Sequence, residues 1–333
     1  MNVARERVLR ADLHVHSWHS ARADHLPFLH ARDCYSEPAA VYATAKARGM
    51  DLVTITDHDT IDGCVEFLAH HSTTDDFFIS EEIECRFPDI DLKVHVGAYD
   101  IDERIHRDIQ PLRRNVFEAV AYLRAEGVFY ALNHPFFFYK GQLPLDEYLD
   151  VALALFPAFE VRNGTMLAAH NGLVDDIVKA TRAAGTSIAA IGGSDSHTLT
   201  GIGTTFTEAP GRTHHEFLQN LRDGCGRVDG QHGSTWREAR EIYGVIVEYW
   251  KNLLGVGRRY LSWPRRTLGL AFSTVSMPVE FSPLIVAAWH KRAEMRRVAG
   301  YRHAWESQYV ATRREAALAR DLQLDVGSME RRS

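Results

Sequence analysis

The chain has only four cysteines in 333 residues, Cys34, Cys64, Cys85 and Cys225, and no two of them form a Cys-x-x-Cys pair. That argues against a thiolate zinc site and for a reducing compartment. No window reaches about 18 uninterrupted apolar residues, so no transmembrane helix is expected. Met1 to Arg10 carry three arginines and no apolar run of the secretory type, and the expected location is the cytoplasm. A Gly-x-Gly-x-x-Gly fingerprint is missing, as are a P-loop, a Gly-x-Ser-x-Gly elbow and a His-Glu-x-x-His helix. Dinucleotide redox chemistry, P-loop phosphoryl transfer, serine hydrolysis and zincin-type proteolysis therefore have no recognisable carrier.

What the chain does have is histidine, 18 residues of it. The formal net charge of −6 conceals an asymmetry: residues 1–234 hold 21 Lys+Arg against 34 Asp+Glu, whereas residues 235–333 hold 17 against 10. Most of the histidines fall in the acidic part, which suits a metal-binding domain better than a merely solvated acidic surface. The division expected is a domain over 1–234 and a basic, mainly helical extension over 235–333.

Val8 to His16 reads as a strand, and alternation then puts Asp12, His14 and His16 on one face. Ser36 to Gly49 reads as a helix with Ser36 as N-cap and Pro38 in its first turn. The β-branched Asp51 to Thr56 strand runs into Asp57-His58-Asp59-Thr60. A strand over 77–80 is expected to end in Glu81-Glu82-Ile83-Glu84, and one over 92–98 has His95 at its centre. The helical period over Ile105 to Glu126 marks the clearest helix of the chain. Further strands are expected to end at Asn133-His134-Pro135, at Asn163-Gly164, and at Gly192-Gly193-Ser194-Asp195-Ser196-His197. About seven strands separated by helices indicate an α/β fold with a largely parallel sheet, and a closed β/α barrel gathers strand ends on one face best. After Gly233, Trp236 to Leu254 reads as an amphipathic helix and 287–324 as arginine-rich helices, with a disordered tail over 325–333.

His14, His16, His58, Glu82, His95, His134, Asp195 and His197 are the candidates at these strand ends. Imidazole and carboxylate suit zinc, iron or manganese, and eight such side chains exceed the needs of one tetrahedral ion, which implies two or three. Paired metals hydrolyse phosphorus or carbonyl centres by activating water. Arg162, beside Glu160, is a candidate phosphate clamp. Asp57 and Asp59 are read as local orienting or capping residues, and His70-His71 and His214-His215 as surface pairs.

Asp12-Leu13-His14-Val15-His16-Ser17, Ile55-Thr56-Asp57-His58-Asp59-Thr60, the Glu82 strand, His95, Asn133-His134-Pro135 and Gly193-Ser194-Asp195-Ser196-His197 resemble, in order, the motifs of the PHP (polymerase and histidinol phosphatase) superfamily. The resemblance covers residues 8 to 230. It implies a distorted seven-stranded, TIM-like β/α barrel with a trinuclear site that hydrolyses phosphoesters. By that pattern His14, His16, Glu82 and Asp195 hold one ion, Glu82, His95 and His134 a second, and His58 and His197 a third. Many relatives carry an Asp or His where this chain has Ala21 and Arg22, so His19, Asp24 or His25 is expected to substitute. Strand alternation puts Glu82 and Glu84 on one face, and the family's continuation after Glu82 selects Glu82.

The resulting expectation is a cytoplasmic metal-dependent phosphoesterase in which a metal-activated hydroxide attacks a small phosphorylated substrate, with Glu82, Asp195, His197 and Arg162 as catalytic residues. Two other readings stand beside it: an exonuclease or phosphodiesterase acting on nucleic-acid ends, hinted at by the basic extension, and a regulatory binding module with little turnover. The extension is expected to dock on the acidic barrel or on a second copy of the chain rather than on nucleic acid.

Overall fold

The computed structural model describes residues 7–20, 31–71, 74–256, 261–280 and 282–309. Its elements run β1 (Val8–Asp12), α1 (Pro38–Ala47), β2 (Leu52–Val53), α2 (Asp62–His70), β3 (Ser80–Arg86), β4 (Lys93–Tyr99), α3 (Glu103–Ile109), α4 (Val116–Ala125), β5 (Phe129–Asn133) and α5 (Leu145–Leu155). They continue with β6 (Ala158–Asn163), α6 (Ala168–Ala183), β7 (Ala189–Gly193), β8 (Thr205–Pro210), α7 (His214–Arg222) and β9 (Arg227–Gly230), and close with α8 (Thr235–Leu254), α9 (Trp263–Glu280) and α10 (Pro283–Ala304).

Among the described residues, nine strands form two mixed sheets, ordered β2-β1-β8-β9 and β3-β4-β5-β6-β7. This corrects the single, largely parallel sheet expected from the sequence: β1/β2, β5/β6 and β6/β7 are parallel, but β3/β4, β4/β5, β1/β8 and β8/β9 are antiparallel. The reason is local. Only the turn around Asp89, whose φ is 66°, separates β3 from β4, and a parallel pair needs a crossover of a dozen or more residues. Strand β8 escaped notice because its inward positions include Thr205 and Thr207 rather than large apolar residues. No continuous ladder closes the sheets among the described residues. They meet at isolated parallel bridges, Val15 with Ser196, Val53 with Phe77, and His58 with Glu82.

The largest core lies between the five-stranded sheet and helices α3 to α6, where Ile83, Val96, Leu132 and Phe159 meet Ile109, Leu123, Tyr148 and Ile177. A second core, built on Leu9, Leu13, Phe129, Ile191 and Phe217, fills the space between the sheets. The single helix expected over 105–126 is two helices. Pro111 cannot donate to the helical ladder, and a 3-10 turn at Leu112–Arg114 follows it; the Asn115 side chain then caps α4 by accepting from Phe117 N. Helix α1 starts after Glu37 with no side-chain cap, so Ser36 is not its N-cap.

Beyond Gly233 the extension is integral to the packing, since Val298 and Trp305 join the largest core. Helix α8 reverses the simple amphipathic reading: Trp236, Val247 and Leu254 are exposed while Arg237, Glu241 and Asn252 are buried. Arg237 and Glu241 on its inner side meet polar loops, whereas Tyr249 and Leu253 farther along pack with Leu261 in a small apolar cluster. No described helix is long and apolar enough to cross a membrane.

Candidate metal centre

The two sheets converge on Glu82. Its side chain is fully buried, and Oε1 lies 3.1 Å from each of His14 Nε2, His95 Nδ1 and His134 Nε2, while Oε2 lies 3.0 Å from His58 Nδ1 and 3.7 Å from His16 Nε2. Asp195 Oδ1 stands 3.4 Å from His14 Nε2, 3.3 Å from His16 Nε2 and 3.8 Å from His197 Nδ1. All eight expected strand-end residues are thus gathered in one place. The route differs from expectation for two of them: Glu82 sits inside β3, not past its end, and His95 comes near the start of β4. Because β4 runs antiparallel to β5, that start lies beside Asn133 at the far end of β5.

The backbone is shaped to fit. His134 and Asp195 adopt φ values of 28° and 51°, in a region that non-glycine residues rarely occupy and that recurs at functional sites. Gly193 is required by close approach, since a Cβ there would stand 2.4 to 2.9 Å from the Cβ, N and Cα of His14.

A surrounding layer of hydrogen bonds aims the ligands. Glu160 Oε1 faces His14 Nδ1 at 2.9 Å and Oε2 accepts from His134 N at 2.8 Å, which turns His14 Nε2 to the centre. Asn133 Nδ2 donates to Glu82 Oε1, while Asn163 Nδ2 and Thr165 Oγ1 both donate to Asp195 Oδ2. His16 Nδ1 meets Ser20 Oγ at 3.1 Å. Such outer carboxylates and amides fix imidazole orientation in metal sites.

The residues fit divalent ions on two observations. His14 Nε2, His16 Nε2, Glu82 Oε2, His95 Nδ1 and His134 Nδ1 are buried without a hydrogen-bond partner, which a native interior avoids unless another ligand satisfies them. In addition, ligands held at about 2.1 Å around a tetrahedral ion stand about 3.4 Å apart, in the middle of the spacings found here. Four overlapping groups have donor atoms within 4.8 Å of one another: His16-His58-His197, His14-His134-Asp195, His14-His16-Glu82 and His58-Glu82-His95.

Electrostatics follow from this crowding. Burial opposes the Glu82 carboxylate, but His14, His95 and His58 outweigh it and hold the group well below the usual carboxylate range. Burial, then His197 and His58, push His16 well below its ordinary value, leaving a neutral ring with a lone pair to offer. Burial also opposes the His58 imidazolium, yet Glu82 and then Asp33 and Asp195 lift it to about 9.

One residue was missed. Asp33 is largely buried, with Oδ2 3.8 Å from both His58 Nε2 and His197 Nε2 and Oδ1 unpartnered. Its position beside His58 and His197 is the one sought for a ligand at His19, Asp24 or His25. Asp24 and His25 lie outside the described residues, as does the tail 325–333. His19 is placed on Glu66, 2.5 Å from Oε2, and not among the cluster. Arg162 is not brought in either: its guanidinium donates to Gly230 O and pairs with Asp229, because Glu160 already occupies the inward position of β6 and a bulge follows it. Glu84 pairs with Lys93 and Arg86 at the edge of the centre, with Oε2 3.9 Å from His95 Nε2. Asp57 orients Ser17 through two 2.6 Å bonds and Asp59 accepts from Glu84 N and Arg113, the local roles expected of them.

The extension reaches the same loops. Glu241 of α8 accepts from Thr198 and Thr200, and Arg237 donates to Gly201 O. On α10, Lys291 donates to Thr165 O and Glu294 while Glu294 accepts from Leu167 N.

Residues 175–225, which include Asp195 and His197, match the family model described as PHP-associated. No curated protein matches the chain. Among solved structures, PsfC from Pseudomonas syringae PB-5123 aligns with a TM-score of 0.48 at 16% identity, over 74% of this chain and 99% of that one. A protein of Bifidobacterium adolescentis ATCC 15703 described as a metal-dependent phosphoesterase aligns with a TM-score of 0.42 at 17% identity, over 56% and 87%. The lesion-specific endonuclease PfuEndoQ of Pyrococcus furiosus aligns with a TM-score of 0.46 at 16% identity, over 89% and 91%. The PHP-associated match covers the segment that carries Gly193-Ser194-Asp195-Ser196-His197, the last of the ordered histidine and carboxylate motifs.

Proposed function

We propose that this chain is a metal-dependent phosphoesterase acting on a small phosphorylated substrate through two or three divalent ions, manganese, iron or zinc. The observation that carries the reading is Glu82, one fully buried carboxylate with five imidazoles around it and an unpartnered oxygen. His14, His16, Glu82 and Asp195 would hold one ion, Glu82, His95 and His134 another, and His58, His197 and Asp33 the third. Ions bound there lower the pKa of a water and neutralise charge on substrate phosphate oxygens.

The chain's own residues do the rest. Glu82 holds its charge in the interior and ties the two sheets together. Glu160, Asn133, Asn163 and Thr165 keep the ligating atoms aimed. His58 and His197 are the most exposed imidazoles of the set, at 20% and 26% of the side chain, and so form the mouth through which a phosphoester enters. His197, at that mouth, and Asp195, buried behind it with Oδ1 3.8 Å from His197 Nδ1, are the groups we assign to proton handling at the leaving oxygen. Arg162 has no part in this centre.

At the level of architecture, the isolated bridges support reading β1 to β7 as a distorted seven-stranded barrel, with 1–234 as the domain and 235–333 as its extension. The exposed Trp236, Trp263 and Trp289 of that extension support pairing with a second copy, which light scattering would test.

The deciding experiment supplies manganese, iron or zinc and assays phosphomonoesters, dinucleotides and short oligonucleotides. Metal-dependent turnover of a phosphomonoester or dinucleotide that disappears in His14→Ala with His134→Ala is expected. Turnover unaffected by that double substitution would overturn the reading. Cleavage of oligonucleotides alone, lost on removing 235–333, would favour the nuclease, and metal binding with no turnover on any substrate the regulatory module.

A further inference from the structure

Arg162, freed from the metal centre, lines a groove of about 440 Å³ between α6 and β9. Lys179, Arg182 and Arg227 share it, so four cationic side chains line it in the part of the chain, residues 1–234, that is strongly acidic overall. Asp175, paired with Lys179 at 2.7 Å, is the one carboxylate in the lining, and Asp229 faces Arg162 from solvent at 3.5 Å. Arg227 has no carboxylate partner among the described residues. The floor is apolar, formed by Val161, Ala190 and Val228. A volume of this size, with cations on its rim and an apolar base, has the dimensions and chemistry of a small-molecule site. Arginine forks suit phosphate oxygens in particular.

At one end of the groove stands His232. Its Nδ1 lies 2.9 Å from Asn171 Nδ2 and accepts from it; Asn171 in turn accepts from Asn163 N and donates to Asn163 O. Asn163 Nδ2 donates to Asp195 Oδ2. Burial and the neighbouring Arg162 hold His232 below its ordinary value, in keeping with a neutral ring that accepts. The groove is therefore separate from the metal centre yet joined to it by three residues.

We propose that this groove is a second binding site, for the polyphosphate chain of a nucleotide-sized ligand, held by Arg162, Lys179, Arg182 and Arg227.

Calorimetric titration of the metal-loaded full chain with ADP and with pyrophosphate tests it. Saturable binding is expected, weakened about tenfold or more in Lys179→Ala with Arg227→Ala and retained in His14→Ala with His134→Ala. Tighter binding of ADP than of pyrophosphate assigns the apolar floor to a nucleoside, and equal binding assigns the site to the phosphate chain alone; both sustain the proposal. The His232 ring resonance, identified by its loss in His232→Gln, shifts on saturation. No saturable binding, binding lost only with the metal-centre substitutions, or a short single-stranded oligonucleotide that outcompetes both ligands would overturn it. Because the metal content of Lys179→Ala with Arg227→Ala is measured alongside, failure here is distinguishable from failure of the phosphoesterase reading.

Discussion

Glu82 and Asp195 are outnumbered by the imidazoles around them, and that imbalance defines the site chemically. Eight of its side chains could be read directly, because a histidine or carboxylate beside a β-branched run has few structural reasons to be there. Asp33 could not. It reaches the centre through an irregular segment, where neither periodicity nor local spacing ties a residue to a distant strand end. Two outcomes follow. Glu160→Gln, which leaves the ligands intact but weakens the hold on His14 and His134, should lower metal affinity about 10- to 100-fold by titration. Asp33→Asn should remove the ion nearest His58 and His197 while sparing the others, as read by metal analysis. A third concerns pH. Burial disfavours the Glu294 carboxylate, but His170, Lys291 and Leu167 N together hold it at about 2, below its ordinary 4.5. A depressed acid contributes stability that is complete above pH 4.5 and lost as pH falls toward 2, up to about 3 kcal/mol here. Denaturant unfolding between those pH values should show that loss in the wild type and a flatter profile in Glu294→Gln.

Helices and strands were legible where they carry their own punctuation. Gly49, at φ 82°, closes α1 as its sequence suggests, and the β-branched run over 51–56 does lead to His58. Where an element depends on its neighbours the reading failed: Pro111 divides a periodic segment into two helices, and the short turn at Asp89 forces β4 antiparallel. The seam between β7 and the strand-like run through His14 is a close contact of the site. Gly193→Ala places a methyl against the His14 backbone and should displace that segment, with loss of metal loading greater than loss of helix content by circular dichroism. On the other side, Lys291 of α10 is buried between Glu294, Glu238 and Thr165 O. Lys291→Met leaves those groups uncompensated and should destabilise the protein by about 3 kcal/mol or more in denaturant unfolding.

Taken whole, the molecule explains its charge asymmetry through contacts. Arg302 pairs with Asp176 and Lys291 with Glu294 and Glu238, so part of the positive charge of the extension is spent on α6 and within the extension itself. Composition forecast the asymmetry, and the succession of strands and helices the α/β class; how the nine described strands divide into two sheets depends on pairings between distant segments, which no local pattern encodes. Both sheets nevertheless converge where the motif histidines lie, and that convergence is what would hold the two or three ions proposed. Metal analysis of the protein reconstituted with manganese, iron or zinc, beside His14→Ala with His134→Ala, tests it most directly. Two or three ions per chain in the wild type, falling sharply in the variant, is the result predicted; fewer than two ions, or a content that the substitutions leave unchanged, would contradict it.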